Sequence, residues 1–225
     1  MDIDFLQCKR SKKIRIPEIN SELAEDIGLQ IGDGSIGHWK SGGSTNHIVE
    51  VCGDINEDRL YLTNYVKPLK EKLYGAHVSK INHFAANTLV LRIYSKNLLS
   101  FYERLGLPVG PKIGVKIPDF ILEDKKLEIG CLRGLFDTDG SLGFAKGDHK
   151  NHNNPVIHFS SKSEYLVKQV CNILDDLGIP HSACMNVKRY DKRYNKFYTG
   201  SSVYISGKKN LEIWMKLIGF HNNSK

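Results

Sequence analysis

Two aspartates are the strongest chemical candidates in this 225-residue chain, because each one follows the same kind of segment. Asp33 lies in IGLQIGDGSIG (Ile27 to Gly37), and Asp139 lies in LRGLFDTDGSLG (Leu132 to Gly143). The two motifs are about 100 residues apart, which is the length of a small domain. Matching carboxylates in a duplicated chain predict a paired metal site on an internal two-fold axis. Hard oxygen ligands of this kind suit Mg²⁺.

Before the first aspartate, apolar residues recur with helical spacing, and the same spacing precedes the second aspartate. Leu23, Ile27 and Ile31 recur every four residues, after Ser21 as the predicted N-cap and before Gly34 as a predicted left-handed stop. A carboxylate at a helix C-terminus faces the negative end of the helix dipole. Two such carboxylates would repel each other, so a bound divalent cation is expected. The alternative is that Asp-Gly-Ser is an ordinary turn sequence.

Four glycines form a small-residue stripe on these two predicted helices: Gly28, Gly32, Gly130 and Gly134. A glycine in a helix interior costs about 1 kcal/mol, so a compensating benefit is expected. We predict that the two helix backbones approach each other closely at these positions. The alternative is that the glycines relieve local crowding against a sheet.

The segment from Gly32 to Gly37 also fits the pattern GxGxxG of dinucleotide-binding proteins. That fingerprint requires a strand before it and a helix after it, whereas here a helix precedes and a strand follows. A nucleotide cofactor is therefore not expected.

The rest of each half predicts a helix, hairpin, helix, hairpin, helix order. The predicted hairpins are Ser35 to Cys52, Ala76 to Tyr94, Ser141 to Ser160 and Ala183 to Ser206. The predicted later helices are Glu57 to Tyr74, Asn97 to Leu105, Ser163 to Leu177 and Lys208 to Leu217. The predicted domains are a basic arm (1–20), a first repeat (21–106), a linker (107–119) and a second repeat (120–225).

Composition favours a globular protein that binds nucleic acid. The net charge is +7, with sixteen basic and eleven acidic side chains in residues 120–225. The five cysteines show no CxxC spacing, so neither a zinc knuckle nor a disulfide framework is predicted. No apolar run reaches the roughly 18 residues of a membrane span, and no signal peptide is evident. We therefore expect no membrane partner, and a cytoplasmic or organellar rather than a secreted protein.

At the two motifs the sequence resembles the LAGLIDADG family of homing endonucleases, in the single-chain form with two motif copies. The resemblance implies an α+β fold of two pseudo-symmetric αββαββα repeats, with the motif helices packed at the central axis and two antiparallel sheets forming a DNA-binding saddle. It implies that Asp33 and Asp139 bind metal, with the carbonyl groups of Gly32 and Thr138 completing the shell. Two or more Mg²⁺ ions are expected, and Mn²⁺ as a substitute.

The family often has a lysine after the last helix of each half, and Lys112 and Lys225 occupy that place here, six residues beyond Gly106 and Gly219. Both are predicted to be catalytic by stabilising charge at the scissile phosphates or organising the attacking water. The alternative is that they are solvated lysines, and Lys225, as the last residue of the sequence, would be frayed. Asp137 has Ile31 as its counterpart and is predicted to be structural or peripheral.

Basic and aromatic side chains predict where DNA would bind. The predicted contacts are Lys188, Arg189, Tyr190, Lys192, Arg193, Tyr194 and Lys196 in one hairpin, with His38, Trp39, Lys40, Lys80, His83, Lys146 and Lys150 elsewhere. A two-stranded ribbon fits the major groove, where Arg and Lys reach guanine edges or phosphates. The alternative is a merely solvated charged hairpin.

The resemblance implies a monomeric, site-specific endonuclease that cuts both DNA strands across the minor groove and leaves short 3′ overhangs. Its target would be long, and either pseudo-palindromic or asymmetric. Because no splicing half is evident, an intron-encoded or free-standing protein is expected. The rival hypothesis is a non-cleaving nucleic-acid binder on the same scaffold, such as an intron RNA maturase or a DNA-binding regulator. A structural scaffold with a cation-stabilised helix pair is a third hypothesis, which leaves the basic hairpin unexplained.

Overall fold

The chain folds into two halves with the same order of elements, in a computed structural model that describes residues 5–146, 152–192 and 195–225. The first half contains α1 Ser21–Ile31, β1 Gly34–Ser41, β2 Ser44–Asp54, α2 Arg59–Tyr61, α3 Lys67–Tyr74, β3 Ser79–His83, β4 Thr88–Tyr94 and α4 Lys96–Arg104. A π-helical stretch, Leu62–Val66, joins α2 directly to α3, so the two form one continuous helix. The second half contains α5 Lys125–Thr138, β5 Gly140–Lys146, β6 His152–Ser161, α6 Glu164–Asp176, β7 Ser182–Asp191, β8 Lys196–Ser206 and α7 Lys208–Leu217. The predicted α+β class is confirmed. In the described ranges no helix combines the length and apolar character needed to cross a bilayer.

Each half contributes one four-stranded antiparallel sheet, with strand orders β1-β2-β4-β3 and β5-β6-β8-β7. Side chains alternate between the two faces of each sheet, as the strand period requires. On β2, Val49 and Val51 are buried, whereas Glu50 and Cys52 lie on the opposite side. We call the side that carries Glu50 in the first sheet the outer face. The outer face of the second sheet is the side that carries His158, the counterpart of Glu50.

The two halves meet where α1 packs against α5, and glycines make the contact possible. A Cβ atom on Gly28 would lie 2.1 Å from the Cys131 carbonyl oxygen, and one on Gly134 would lie 2.0 Å from the Glu25 carbonyl oxygen. These distances are far shorter than van der Waals contact, so only glycine fits at these two positions. The backbones of the motif helices are therefore in direct contact.

Two local details of the motif helices differ from the sequence predictions. The N-cap of α1 is Asn20, whose side-chain oxygen accepts the Leu23 N–H at 3.0 Å, rather than Ser21. Gly34 does not adopt a left-handed conformation and neither does Gly140. A Cβ atom at Gly34 would lie 2.5 Å from the Gln30 Cα, so this glycine is needed because the first strand turns back tightly against its own helix.

A buried ion pair joins α1 to the neighbouring helices of the first half. Lys70 donates to Asp26 at 2.6 Å, and both residues are at most 1% exposed. The hydroxyl groups of Tyr74 and Tyr102 also donate to the Asp26 carboxylate. A buried charge needs this degree of compensation, because removing one partner leaves the other desolvated and unpaired.

We predict that Gly28→Ala and Gly134→Ala each destabilise the protein by roughly 1–3 kcal/mol or more, because the added methyl group must push two helix backbones apart. Urea unfolding should show this loss. Gly143→Ala is the control, since a Cβ at Gly143 would meet nothing within 4 Å. Equal stability of all three variants would contradict the backbone contact.

Candidate active site

The C-terminal ends of α1 and α5 come together, and each places an aspartate there. A Cβ atom on Gly32 would lie 1.9 Å from the Thr138 hydroxyl oxygen, so the residues just before Asp33 and Asp139 are in contact. The negative charge of Asp139 raises the pKa of Asp33. The two predicted carboxylates are therefore close enough for the charge of one to change the pKa of the other.

Both carboxyl groups are more difficult to ionise than a free aspartate. Asp33 is partly buried, and loss of surrounding water together with the charge of Asp139 raises its pKa to about 6. Loss of water also raises the pKa of Asp139, although the positive charges of Lys112 and Lys225 oppose this shift. Two desolvated carboxylates that repel each other favour binding of a cation.

The two predicted lysines reach equivalent positions at the ends of the motif helices. The Lys112 ammonium group donates to the carbonyl oxygen of Ile31 at 2.9 Å and also to that of Gly32. The Lys225 ammonium group donates to the carbonyl oxygen of Thr138 at 3.0 Å. Each lysine thus contacts the carbonyl group that immediately precedes one aspartate, and neither lysine is merely solvated.

The donor set at this place fits a hard divalent cation. The carboxylates of Asp33 and Asp139 and the carbonyl groups of Gly32 and Thr138 are all oxygen donors, the type that Mg²⁺ and Ca²⁺ prefer. A carbonyl oxygen that accepts one lysine proton keeps a second lone pair. The lysines therefore do not exhaust these carbonyl groups.

Sequence reasoning missed two further side chains near Asp33. The Cys52 N–H donates to the Asp33 carbonyl oxygen at 3.3 Å, and the Cys52 thiol lies 3.6 Å from the same oxygen. The negative charge of Asp58 also raises the pKa of Asp33. Cys52 was detectable only through strand pairing, because the Gly34–Val51 register brings the end of β2 beside the motif.

The strand register divides the predicted DNA contacts between the two sides of the sheets. In the second sheet Arg189 donates to Tyr204 at 3.3 Å on the outer face, whereas Lys188 lies over the Phe197 ring, 4.7 Å from its centroid, on the other side. Tyr190 also packs against Phe197. The hairpin is therefore two-sided, which its sequence alone did not reveal.

The first sheet shows the same division. Trp39 is 52% exposed and lies an even number of residues after Ser35, so its side chain is on the outer face of β1. His38 and Lys40 lie on the other side. Lys80 is paired with the buried Leu91 and therefore points away from the outer face, whereas His83 lies on the outer face.

Lys192 and Lys196 are exposed at the tip of the hairpin formed by β7 and β8. Lys150, Arg193, Tyr194 and the side chain of Lys146 fall outside the described residues.

Two matching rows of side chains cross the outer faces, and each row begins two residues after an aspartate. They are Ser35, Glu50 and Arg92 in the first sheet, and Ser141, His158 and Tyr204 in the second. Arg92 pairs with the Glu50 carboxylate, whereas the His158 ring stacks on Tyr204 with 4.6 Å between centroids. The two halves thus present different chemistry at equivalent places.

A family model described as LAGLIDADG-like domain matches residues 126–219. A variant of the homing endonuclease I-DmoI superposes with a TM-score of 0.63 over 90% of this chain and 98% of that chain, at 16% identity. The chain has the two-repeat LAGLIDADG fold. At this identity the I-DmoI match establishes the LAGLIDADG fold alone.

Two curated relatives are similar to this chain over part of their length. The tRNA-splicing ligase RtcB of Pyrococcus abyssi is 27% identical over 165 residues, which cover 69% of this chain and 17% of that protein. The DNA polymerase of Thermococcus kodakarensis is 23% identical over 235 residues, which cover 98% of this chain and 12% of that protein. This chain spans less than a fifth of either relative.

We predict that Asp33→Asn stabilises the metal-free protein at pH 8 by roughly 1–3 kcal/mol, because the ionised carboxylate is disfavoured in the fold. The pKa of about 6 lies above the ordinary value of 3.8. The penalty is therefore small at pH 4, grows as the pH rises from 3.8 to about 6, and is constant above that range. Urea unfolding in EDTA at pH 4 and pH 8 measures it.

Adding Mg²⁺ at pH 8 should reverse the order, by stabilising the wild type more than Asp33→Asn. Asp176→Asn, which removes an exposed carboxylate on α6, is the control and should change neither comparison. If Mg²⁺ stabilised both proteins equally, Asp33 would not be a metal ligand.

Proposed function

We propose that this chain is a divalent-metal-dependent endonuclease that cuts both strands of a specific double-stranded DNA. The observation that carries the proposal is the convergence of two carboxylates and two lysines at the ends of the packed helices α1 and α5. I-DmoI supports it by analogy, since its structures include complexes with DNA and Ca and with DNA and Mn.

In this proposal each group has a defined task. Asp33 and Asp139, with the carbonyl groups of Gly32 and Thr138, hold divalent cations, which supply charge stabilisation for the attacking and leaving oxygens. Lys112 and Lys225 place positive charge beside the scissile phosphates and orient the attacking water. The cation in the cell is Mg²⁺, and cleavage across the minor groove leaves short 3′ overhangs.

The chain acts as a monomer on an asymmetric target. Both aspartates and both lysines come from one chain, so a second copy is not needed to complete the site. The outer faces carry a Glu50–Arg92 pair in one half and a His158–Tyr204 stack in the other. Because these groups have different donors, acceptors and charge, they would favour different base pairs in the two half-sites.

A non-cleaving binder, such as an RNA maturase or a DNA-binding regulator, would not require this convergence. Binding nucleic acid needs positive charge on the outer faces, and it gains nothing from two desolvated carboxylates that repel each other. The presence of both carboxylates therefore favours catalysis.

We predict that Asp33→Asn and Asp139→Asn each abolish cleavage while they retain DNA binding, because they remove a metal ligand and leave the outer faces intact. The substrate is supercoiled plasmid carrying a sequence selected from a random library with the wild type, first for binding in Ca²⁺ and then for cleavage in Mg²⁺. Gel assays follow linear product, and Ca²⁺ allows binding to be measured separately. Undiminished cutting by either variant would reject the assignment.

We predict that Arg189→Ala weakens DNA binding and lowers the slope of log affinity against log salt by about 0.9, the contribution of one phosphate contact. Lys188→Ala is a matched control, because this adjacent cation lies on the other side of the sheet over Phe197. Fluorescence anisotropy at salt concentrations from about 50 to 200 mM gives both values. A larger effect of Lys188→Ala would place the DNA on the opposite face.

A further inference from the structure

Asp137, which the sequence predicts to be structural or peripheral, makes structural contacts from inside the motif helix. It lies two residues before Asp139 on α5 and is 1% exposed. Its carboxylate accepts the backbone N–H groups of His221 at 3.1 Å and Asn222 at 3.2 Å, and the Tyr61 hydroxyl at 3.3 Å. A buried carboxylate on the motif helix therefore holds the segment that follows α7.

Asn222 extends this connection toward the active site. Its side chain is buried, and its amide group donates to the Asp137 carbonyl oxygen at 3.0 Å and to the Asp58 carboxylate at 2.9 Å. Its side-chain oxygen accepts the Ser224 N–H at 3.1 Å, and its carbonyl oxygen accepts the Lys225 N–H at 3.2 Å. The segment is thereby folded back, and the Lys225 side chain reaches the end of α5.

A neighbouring cluster strengthens the same attachment rather than forming a metal centre. Glu25, Asp137 and His221 bring potential ligand atoms within 4.8 Å of one another. Glu25, however, already contacts the Tyr65 hydroxyl at 2.7 Å, the His221 ring at 2.7 Å and Arg133 at 3.4 Å. Because protein donors already bind these oxygens, the cluster ties the segment to both motif helices.

The first half places its lysine by a different device. Ile31 stands where the second half has Asp137, so no equivalent carboxylate is available. Lys112 instead lies between Gly110 and Gly114, whose φ angles of 91° and 65° shape the linker around it. The Gly110 N–H also donates to the Ile36 carbonyl oxygen at 2.7 Å. Only one of the two lysines depends on Asp137 and Asn222.

We propose that Asp137 and Asn222 are positioning residues that hold Lys225 against the Thr138 carbonyl group, and that they support cleavage of only one of the two DNA strands. This inference rests on the proposed nuclease function. It predicts an asymmetry that a general structural role would not produce, because a less stable fold would slow both cuts alike.

The decisive variant is Asn222→Ala, with Asn223→Ala as its matched control, because Asn223 is the exposed neighbour. The substrate is the supercoiled plasmid bearing the library-selected sequence, in Mg²⁺. Asn222→Ala should slow one strand cut by about 10- to 100-fold, as misplacement of a catalytic group does, and leave the other cut unchanged. Nicked circles should therefore accumulate, while Asn223→Ala should give linear product at the wild-type rate.

Two further variants identify the lysine. Lys225→Met should accumulate nicks in the same strand as Asn222→Ala, and Lys112→Met should accumulate them in the opposite strand. The double variant Asn222→Ala/Lys225→Met should be no slower than Lys225→Met alone, because both changes remove one function. Equal slowing of both strands, additive effects, or wild-type nicking by Asn222→Ala would each overturn the proposal.

A measurement without cleavage separates this inference from the proposed function. Hydrogen exchange should be faster at Ser224 and Lys225 in Asn222→Ala than in the wild type or in Asn223→Ala, because the acceptor for the Ser224 N–H is lost. Unchanged exchange would reject the positioning role even if no DNA were cut. If exchange rises but the wild type cleaves no selected DNA, the nuclease proposal alone fails.

Discussion

The contact between the backbones of α1 and α5 is the constraint on which the rest of the molecule depends. Without Cβ atoms at Gly28 and Gly134 the two helices touch along their length, and their C-terminal ends are brought to one place. Any larger residue at these positions would separate the ends of the helices. The cost of about 1 kcal/mol for each glycine is thus offset by the packing that fixes the aspartates.

The same contact creates an electrostatic problem at its end. Asp33 and Asp139 lose water and repel each other, and they also face the negative ends of two helix dipoles. Lys112 and Lys225 offset part of this charge through their contacts with the preceding carbonyl groups. A site that is unfavourable when empty of cations gains correspondingly more from binding them, which is the usual compromise between stability and activity.

Sequence reasoning recovered the order of the elements because each half repeats a strong periodic pattern. The family resemblance pointed to Lys112 and Lys225, and the structure places both ammonium groups at the ends of the motif helices. Sequence reasoning failed where the structure depends on how distant segments pair. The face on which Lys188 or Arg189 lies depends on a register shift between Cys184 and Val187, and no hydrophobic pattern in the hairpin signals that shift.

Asp137 shows what reasoning by symmetry leaves open. Because its counterpart in the first half is Ile31, the sequence predicts only that Asp137 is structural or peripheral, and it does not reveal which groups the carboxylate holds. Gly110 and Gly114 shape the linker around Lys112, whereas the segment after α7 is held by hydrogen bonds to the Asp137 carboxylate. A carboxylate buried in the motif helix is one physical solution, because it can accept several backbone N–H groups at once. In a duplicated protein, a residue that is present in only one half can therefore make a contact that only that half needs.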